Sequence, residues 1–489
     1  MTALKILFVT SEVNPFAKTG GLADACGALP PAIAELGHDI RVVLPLYKCV
    51  NPETYSLSVI IPALSVHTGA GEFWCKVWEG KLLHSQVPIY FLERTDLFYR
   101  DGIYGDASGD FSDNALRFSF LSLASLQICV ALNWSPDVVH CNDWQTALIP
   151  VYLKTREQER FENVATLLTI HNVGYQGIFG SDAMRTTGLN MSLFHPLCLE
   201  FWGHMNFLKG GILNATLLNT VSRGYSREIQ TPEFGHQLYD HLLNRRRSLF
   251  GILNGVDYEE WNPELDPFIP RNYNRFNLEG KLVCKLALQK RLQLPERAKV
   301  PLIGMVSRIT YQKGIDVFAE VLPGLLETMD IQIAFLGSGE SWAHHYFPQM
   351  AQRFPHKFAC EMGFDNPLAH QITAGSDFFL MPSRYEPCGL NQLYALAYGT
   401  LPIVRSVGGL DDTVIQFAED NRIGTGFKFR PLNPDSIYHT ISWALSLWNQ
   451  HSEVIEVMQQ QAMSERFDWE SSAYQYIQLY RESLRRHHF

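Results

Sequence analysis

No C-x-x-C pair occurs in this chain of 489 residues, and its nine cysteines are odd in number and scattered from Cys26 to Cys388. Neither a disulfide framework nor a thiolate zinc site is written into that spacing, and a reducing compartment fits it best. Long apolar runs are also missing. The longest, 118–134, is broken by serines, Gln127 and Asn133 and falls short of a membrane span. The opening MTALKILFVTSEVNP has too short an apolar core for a signal peptide and lacks the Ser/Arg-rich character of a transit peptide. Positive charge is in deficit: 40 Lys and Arg against 50 Asp and Glu give a net charge of −10, a field that repels phosphate backbones and anionic lipid. Nucleic acid and membrane are therefore not expected as partners, and a cytoplasmic protein is. There is no repeat at a solenoid period, no low-complexity tract, and neither a Walker A loop nor a G-x-G-x-x-G fingerprint.

What is present is a globular composition, 46% apolar and 18% charged with 35 Gly and 25 Pro, long enough for two or three domains. Short β-rich runs alternate with helical stretches, the pattern of an α/β fold with parallel sheets. A first series lies at 6–10, 40–44, 89–92, 138–141, 167–170 and 217–221, and a second at 302–306, 331–336, 358–361, 378–381 and 402–404. Between them 261–277 concentrates Pro, Asn and aromatics without a period, which places the domain crossing near 251–257. The expected domains are 1–255, with the closing helix 470–489 packing back on it, and 256–469. Two doubly wound domains facing each other across a cleft would bind ligands beyond the carboxyl ends of their strands.

Every chemical motif falls at such an end. The loop Lys18-Thr19-Gly20-Gly21-Leu22-Ala23-Asp24 runs into a helical stretch; its glycines admit close approach and a helix N-terminus offers free N–H groups. It reads equally as a diphosphate cradle or a tight turn with a solvated lysine. Arg308 closes a strand and Lys313 follows five residues on, two cations suited to a leaving diphosphate or simply exposed on the surface. In Pro382–Leu390 (PSRYEPCGL) Glu386 can grip sugar hydroxyls or act as an N-capping acid, and N–H groups from Gly389 onward can bind phosphate. Cys388 reads as mainly structural. In HCNDWQ and TIHN, Asp143, His171 and Asn172 supply donors and acceptors for a polyhydroxyl ligand, although a lone His at a strand end is more often a structural hydrogen-bonder. No second His or Cys lies at ligand spacing from His140 or His171, so no catalytic metal is expected. Aromatics outside the strand runs, among them Trp74, Trp202, Tyr175 and Tyr104, could stack on pyranose faces or serve ordinary packing.

Taken in order, KTGGLAD, HCNDWQTA, TIHNVGYQG, GILNGVD, SRITYQKG and PSRYEPCGLNQLYALAYGTLPIVRSVGGLDDTV resemble the bacterial glycogen synthase and plant starch synthase family, glycosyltransferase family 5, over essentially the whole chain. The resemblance implies a GT-B fold and transfer of glucose from ADP-glucose to the non-reducing end of an α-1,4-glucan or maltooligosaccharide, with retention, release of ADP and no metal or other cofactor. It assigns Lys18, Gly20, Gly21 and Asp24 to the donor, and Arg308 and Lys313 to the leaving ADP. Glu386 would position the donor glucose beside the Cys388, Gly389 and Leu390 backbone, and His171 (side chain or carbonyl) and Asp143 would line the reaction centre. Asn254 is expected on the donor side, Phe364 against the adenine, and Asn172, Trp144 and Tyr104 on the acceptor or glucose side. Two positions depart from the pattern: Asn391 and Val407 stand where Thr is usual, and Val407 cannot hydrogen-bond. Tyr394 agrees with it. KTGG leans toward the starch synthase side, with starch granules then a partner, whereas the absent transit peptide leans bacterial. A glucan phosphorylase, a sugar-nucleotide epimerase and a glucan-binding protein are the rival readings.

Overall fold

A computed structural model describes residues 2–106, 108–420 and 422–488. Met1 and Phe489, the outer ends of the expected first domain and closing helix, lie outside the described residues. The chain forms two compact units, Met1–Gly255 with Trp469–Phe489, and Val256–Asp468.

The first unit is built on a nine-stranded sheet with the order Leu249–Gly251, Leu217–Thr220, Ala165–Ile170, Val138–Asn142, Lys5–Val9, Asp39–Pro45, Pro88–Glu93, Gly71–Lys81 and Ser58–Thr68. The strands from Leu249–Gly251 to Pro88–Glu93 are parallel. They are the continuous apolar runs expected of strands covered on both faces; every residue of Val138–Asn142 and Ala165–Ile170 is buried. The hairpin at the edge is antiparallel and lies outside the expected series. Its apolar run 59–64 is interrupted by Pro62 and largely exposed or half-buried, its second strand mixes buried and exposed residues, and its turn rests on Gly71 at φ +132°. Helix Asn114–Ala131 is long and apolar enough to cross a membrane, yet it is a core element here. Even Arg117 is fully buried on it, with Nε donating to the Leu97 carbonyl at 2.6 Å.

Helix Trp469–His487 belongs to this unit. His140 lies between the Tyr480 hydroxyl, 2.8 Å from Nδ1, and the Thr169 hydroxyl, 2.8 Å from Nε2, while Asn219 donates to the Tyr476 hydroxyl at 2.9 Å. Burial holds the His140 pKa well below its ordinary value, so a neutral ring donates at one nitrogen and accepts at the other, a structural role. Tyr480→Phe leaves one ring nitrogen without a partner and is expected to lower stability by about 1–3 kcal/mol, read as a shift in the denaturant midpoint at constant slope.

The second unit carries six parallel strands with the order Phe358–Met362, Gln332–Gly339, Leu302–Ile309, Phe378–Met381, Leu401–Arg405 and Phe427–Phe429. Phe318, Phe335 and Phe347 pack in its core. The aperiodic stretch 261–277 belongs to this unit and is anchored by aromatics. Trp261 stacks between His370 and Tyr394, with ring centroids at 3.8 and 3.9 Å. Asp266 accepts from the Tyr398 hydroxyl at 2.6 Å and pairs with His370 Nδ1 at 2.8 Å. Although burial opposes both charges, that pairing holds the Asp266 pKa below and the His370 pKa above their ordinary values. This irregular stretch thereby fixes the helix Asn391–Ala397, which leads out of the PSRYEPCGL loop.

Candidate active site

In the first unit the chain leaves strand Lys5–Val9 and at once buries a carboxylate. Glu12 is 3% exposed and takes four hydrogen bonds: from the Thr19 and Gly20 N–H groups at 2.6 and 3.3 Å, from the Thr19 hydroxyl at 2.7 Å, and from the Tyr104 hydroxyl at 2.6 Å. An internal anion therefore shapes the Lys18–Gly21 loop and uses two of its N–H groups. Gly20 caps helix Gly21–Glu35 in an extended conformation, and Lys18 pairs with Asp24 at 2.6 Å, both side chains reaching solvent. Sequence reasoning missed Glu12; its one signal was a carboxylate directly after a buried strand. Glu12→Gln puts an amide N–H₂ where a carboxylate oxygen accepts, and is expected to raise KM for the nucleotide donor about ten-fold with kcat changed little, as steady-state kinetics would show.

Asp143 follows strand Val138–Asn142 at φ +55°, a strained conformation for a residue with a Cβ. Its Oδ1 accepts from the His171 and Asn172 N–H groups at 2.6 and 3.3 Å, binding the ends of two neighbouring strands together. Burial drives the Asp143 pKa up to about 7, against the pull of those two hydrogen bonds and aided by the Glu12 charge. Burial also lowers the His171 pKa to about 3, so the ring is neutral at working pH. Its Nε2 lies 3.0 Å from Asn142 Oδ1, and Asn142 Nδ2 donates to the Val9 carbonyl at 3.0 Å. With the amide so oriented, Nε2 carries the proton and Nδ1 is an acceptor.

Two residues expected on the glucose side are turned to other work. Trp144, 8% exposed, packs against Phe118 at 4.9 Å, Phe179 at 5.7 Å and Phe207 at 6.3 Å, so its ring faces are core surface rather than a sugar platform. The Tyr104 hydroxyl is engaged by Glu12 and by Ser11, 2.8 Å away. Asn172, half-buried, turns its Oδ1 to the Gly174 N–H at 2.9 Å. Asn254 is 5% exposed and its Oδ1, a buried acceptor, has no hydrogen-bond partner among the described residues.

In the second unit Glu386, 4% exposed, accepts from Lys313 Nζ at 2.6 Å and from the Ser383 hydroxyl at 2.9 Å, all through Oε2. The two loops involved are tied again by Arg384, which forks onto Asp316 at 2.6 Å and donates to the Tyr311 carbonyl at 2.7 Å. Close backbone approach needs glycine at two places here. A Cβ on Gly314, at φ +64°, would lie 2.0 Å from the Pro382 carbonyl, and one on Gly409 would lie 2.0 Å from that of Cys388. Cys388 is 4% exposed behind this contact, while Gly389, at φ +72°, and Leu390 carry the chain into helix Asn391–Ala397. Arg308 is exposed on its strand end with no ion pair among the described residues. Phe364 is 84% exposed. Of the departures, Asn391 donates to the Val306 carbonyl at 2.7 Å, so its amide braces the strand end, and Val407 is buried at the start of helix Gly408–Thr413. Among the described residues no three His, Cys, Asp or Glu side chains are grouped to hold a metal.

Comparison with known proteins gives these strand ends relatives. Residues 5–245 match the family model described as starch synthase catalytic domain, and 288–461 that described as glycosyl transferases group 1. The chain is 47% identical to glycogen synthase 1 of Geobacter sulfurreducens, covering 99% of this chain and 97% of that one. It is 45% identical to glycogen synthase of Treponema denticola, covering 98% and 99%. Among solved structures, the catalytic domain of starch synthase IV from Arabidopsis thaliana, bound to ADP and acarbose, matches 99% of this chain and 100% of that one with a TM-score of 0.91 at 30% identity.

Proposed function

We propose, from the premise that this chain belongs to the glycogen synthase and starch synthase family, that it elongates an α-1,4-glucan by transferring glucose from ADP-glucose to the non-reducing end with retention, releasing ADP. It is a glycosyltransferase with two Rossmann-like domains. The observation that carries the assignment is the pair between half-buried Lys313 and buried Glu386 at 2.6 Å, held by Ser383, with Arg308 on the preceding strand end in no ion pair among the described residues. A carboxylate fixed in this way can orient sugar hydroxyls, and two cations can neutralise a departing diphosphate.

The roles divide by unit. Lys18 and the Gly20 and Gly21 backbone, with Asp24, act on the donor, and Asn254 supplies an acceptor. Asp143 and the neutral His171 line the reaction centre. Arg308 and Lys313 stabilise charge on the leaving ADP, Glu386 holds the donor glucose, the Cys388–Leu390 backbone lies beside it, and Phe364 stacks on adenine. The acceptor O4 attacks the face that ADP leaves, so no protein nucleophile is required. A starch synthase domain of the same fold binds ADP and acarbose, which supports nucleotide and glucan partners here. The reading carries with it a cytoplasmic setting in contact with glucan granules.

The test supplies the purified protein with ADP-glucose or UDP-glucose and an α-1,4-glucan primer without metal, following nucleotide release and chain growth together. Growth matched to ADP release is expected. Nucleotide consumption without growth would overturn the assignment in favour of an epimerase or hydrolase.

A further inference from the structure

Gln392 has no part in the roles assigned above, yet it is fully buried against the loop that carries Gly389 and Leu390. Its Nε2 donates to the Cys388 carbonyl at 2.9 Å, to the Gly389 carbonyl at 3.0 Å and to the Thr413 hydroxyl at 3.2 Å. Thr413 gives its own proton to the Gly409 carbonyl at 2.6 Å, so all three partners are acceptors and they fix which end of the amide is nitrogen. The other end is unserved: Oε1 is buried and has no hydrogen-bond partner among the described residues. An orphaned acceptor weighs against stability, and an apolar side chain of the same length would not carry it. What the residue contributes therefore lies at Nε2, on the two loop carbonyls.

Holding a carbonyl also sets the N–H that follows it. A trans peptide unit is planar, with its C=O and N–H antiparallel, and both peptides here are trans. Drawing the Cys388 and Gly389 carbonyls inward to Nε2 thus turns the Gly389 and Leu390 N–H groups outward. Neither N–H donates to an acceptor among the described residues, and both residues are half-buried, so that side of the loop reaches solvent. The chain changes hand at the same place, from Gly389 at φ +72° to Leu390 at φ −115° and ψ −36°, a succession that gathers neighbouring N–H groups on one side for an anion. The carboxylate of this loop, Glu386, is compensated by Lys313 at 2.6 Å and does not oppose an anion there. Gln392 also accounts for the missing side chain at 389, since a Cβ on Gly389 would lie 2.3 Å from its Oε1.

We infer that Gln392 is a positioning residue for the donor, aiming the Gly389 and Leu390 N–H groups at the diphosphate of ADP-glucose and of departing ADP; the identity of that anion rests on the proposed function. Gln392 touches no substrate itself. It takes from the two peptide units their freedom to rotate, so the donors stand in place before the nucleotide arrives.

The test titrates the full chain with ADP and with adenosine by calorimetry, alongside KM for ADP-glucose and for glycogen. Gln392→Met keeps the length and packing of the side chain but has no donor. It is expected to weaken ADP binding by about ten- to thirty-fold and to raise KM for ADP-glucose similarly. Adenosine, which has no phosphate, and KM for glycogen should stay within about two-fold of wild type. Gln392→Glu tests the donor itself: a buried carboxyl can donate to a loop carbonyl only while protonated, so its ADP affinity relative to wild type should recover as pH falls from about 8 to about 5.5. Gln392→Met should show no such recovery. Unchanged ADP affinity in Gln392→Met overturns the proposal, and so does an equal loss for ADP and adenosine, the mark of general damage. Should Gln392→Met fail to fold, a Gln392→Glu affinity whose ratio to wild type is indifferent to pH overturns it instead. A wild type that extends glycogen, with ADP affinity indifferent to residue 392, leaves the transferase reading intact and removes this one. A protein that binds ADP through Gln392 yet extends no glucan upholds the positioning role and removes the transferase reading.

Discussion

Arg308→Ala is expected to lower kcat by a factor on the order of 10² to 10³ with little change in KM for glucan, the loss seen when one preorganised charge stabiliser is removed. The residue has no structural duty that would confuse the result, since its guanidinium is exposed and pairs with no carboxylate among the described residues. Lys313→Ala should slow transfer comparably, but it also strips Glu386, 4% exposed, of its cation. Breaking such a buried pair from one side costs about 3–5 kcal/mol. The double variant Lys313→Ala/Glu386→Gln removes the orphaned charge and should recover much of that stability without recovering turnover. Wild-type kcat in Arg308→Ala would remove its assigned role.

Asp143→Asn should make the protein more stable at pH 8 and nearly inactive. The folded-state pKa of Asp143 is raised to about 7 from an ordinary 3.8, so between those values the folded chain binds a proton that the unfolded chain has released. Stability therefore falls as pH rises through that window, and the residue's burden is complete above it. Asparagine keeps an oxygen for the His171 and Asn172 N–H groups and does not titrate. The gain at pH 8 is expected to be about 1–3 kcal/mol and to vanish at pH 4, measured from denaturant midpoints at the two pH values. Turnover should drop by a factor on the order of 10²; retention of wild-type turnover would leave Asp143 as a loop clasp only.

How far the amino-acid order discloses this arrangement depends on the kind of interaction. Buried parallel strands advertise themselves: the run expected at 378–381 coincides with Phe378–Met381, and that at 138–141 falls one residue short of Val138–Asn142. The hairpin Ser58–Lys81 was hard to read because its apolar run 59–64 holds Pro62 and its second strand mixes buried apolar residues with exposed charged ones. Motif residues were legible as chemistry but not as geometry. Nothing in HCNDWQ tells that Asp143 ends in a strained turn or that Trp144 packs inward on phenylalanines contributed from distant parts of the chain. Glu12 was hidden for the same reason, since its partners Thr19 and Tyr104 meet it only after the loop folds back.

The return of helix Trp469–His487 to the first unit sets the order in which a ribosome can finish the molecule. When residue 255 emerges, the first sheet has all its strands, but His140 and Asn219 still lack the tyrosines that satisfy them. The second unit, encoded between the long first segment and the short closing helix of the first, can complete itself while its host waits. The unit begun first is thus the last to close. Throughout that interval its unfinished helix-binding face is a place for chaperones to act and for premature association to begin, and truncation within 469–488 should harm the first unit while sparing the second.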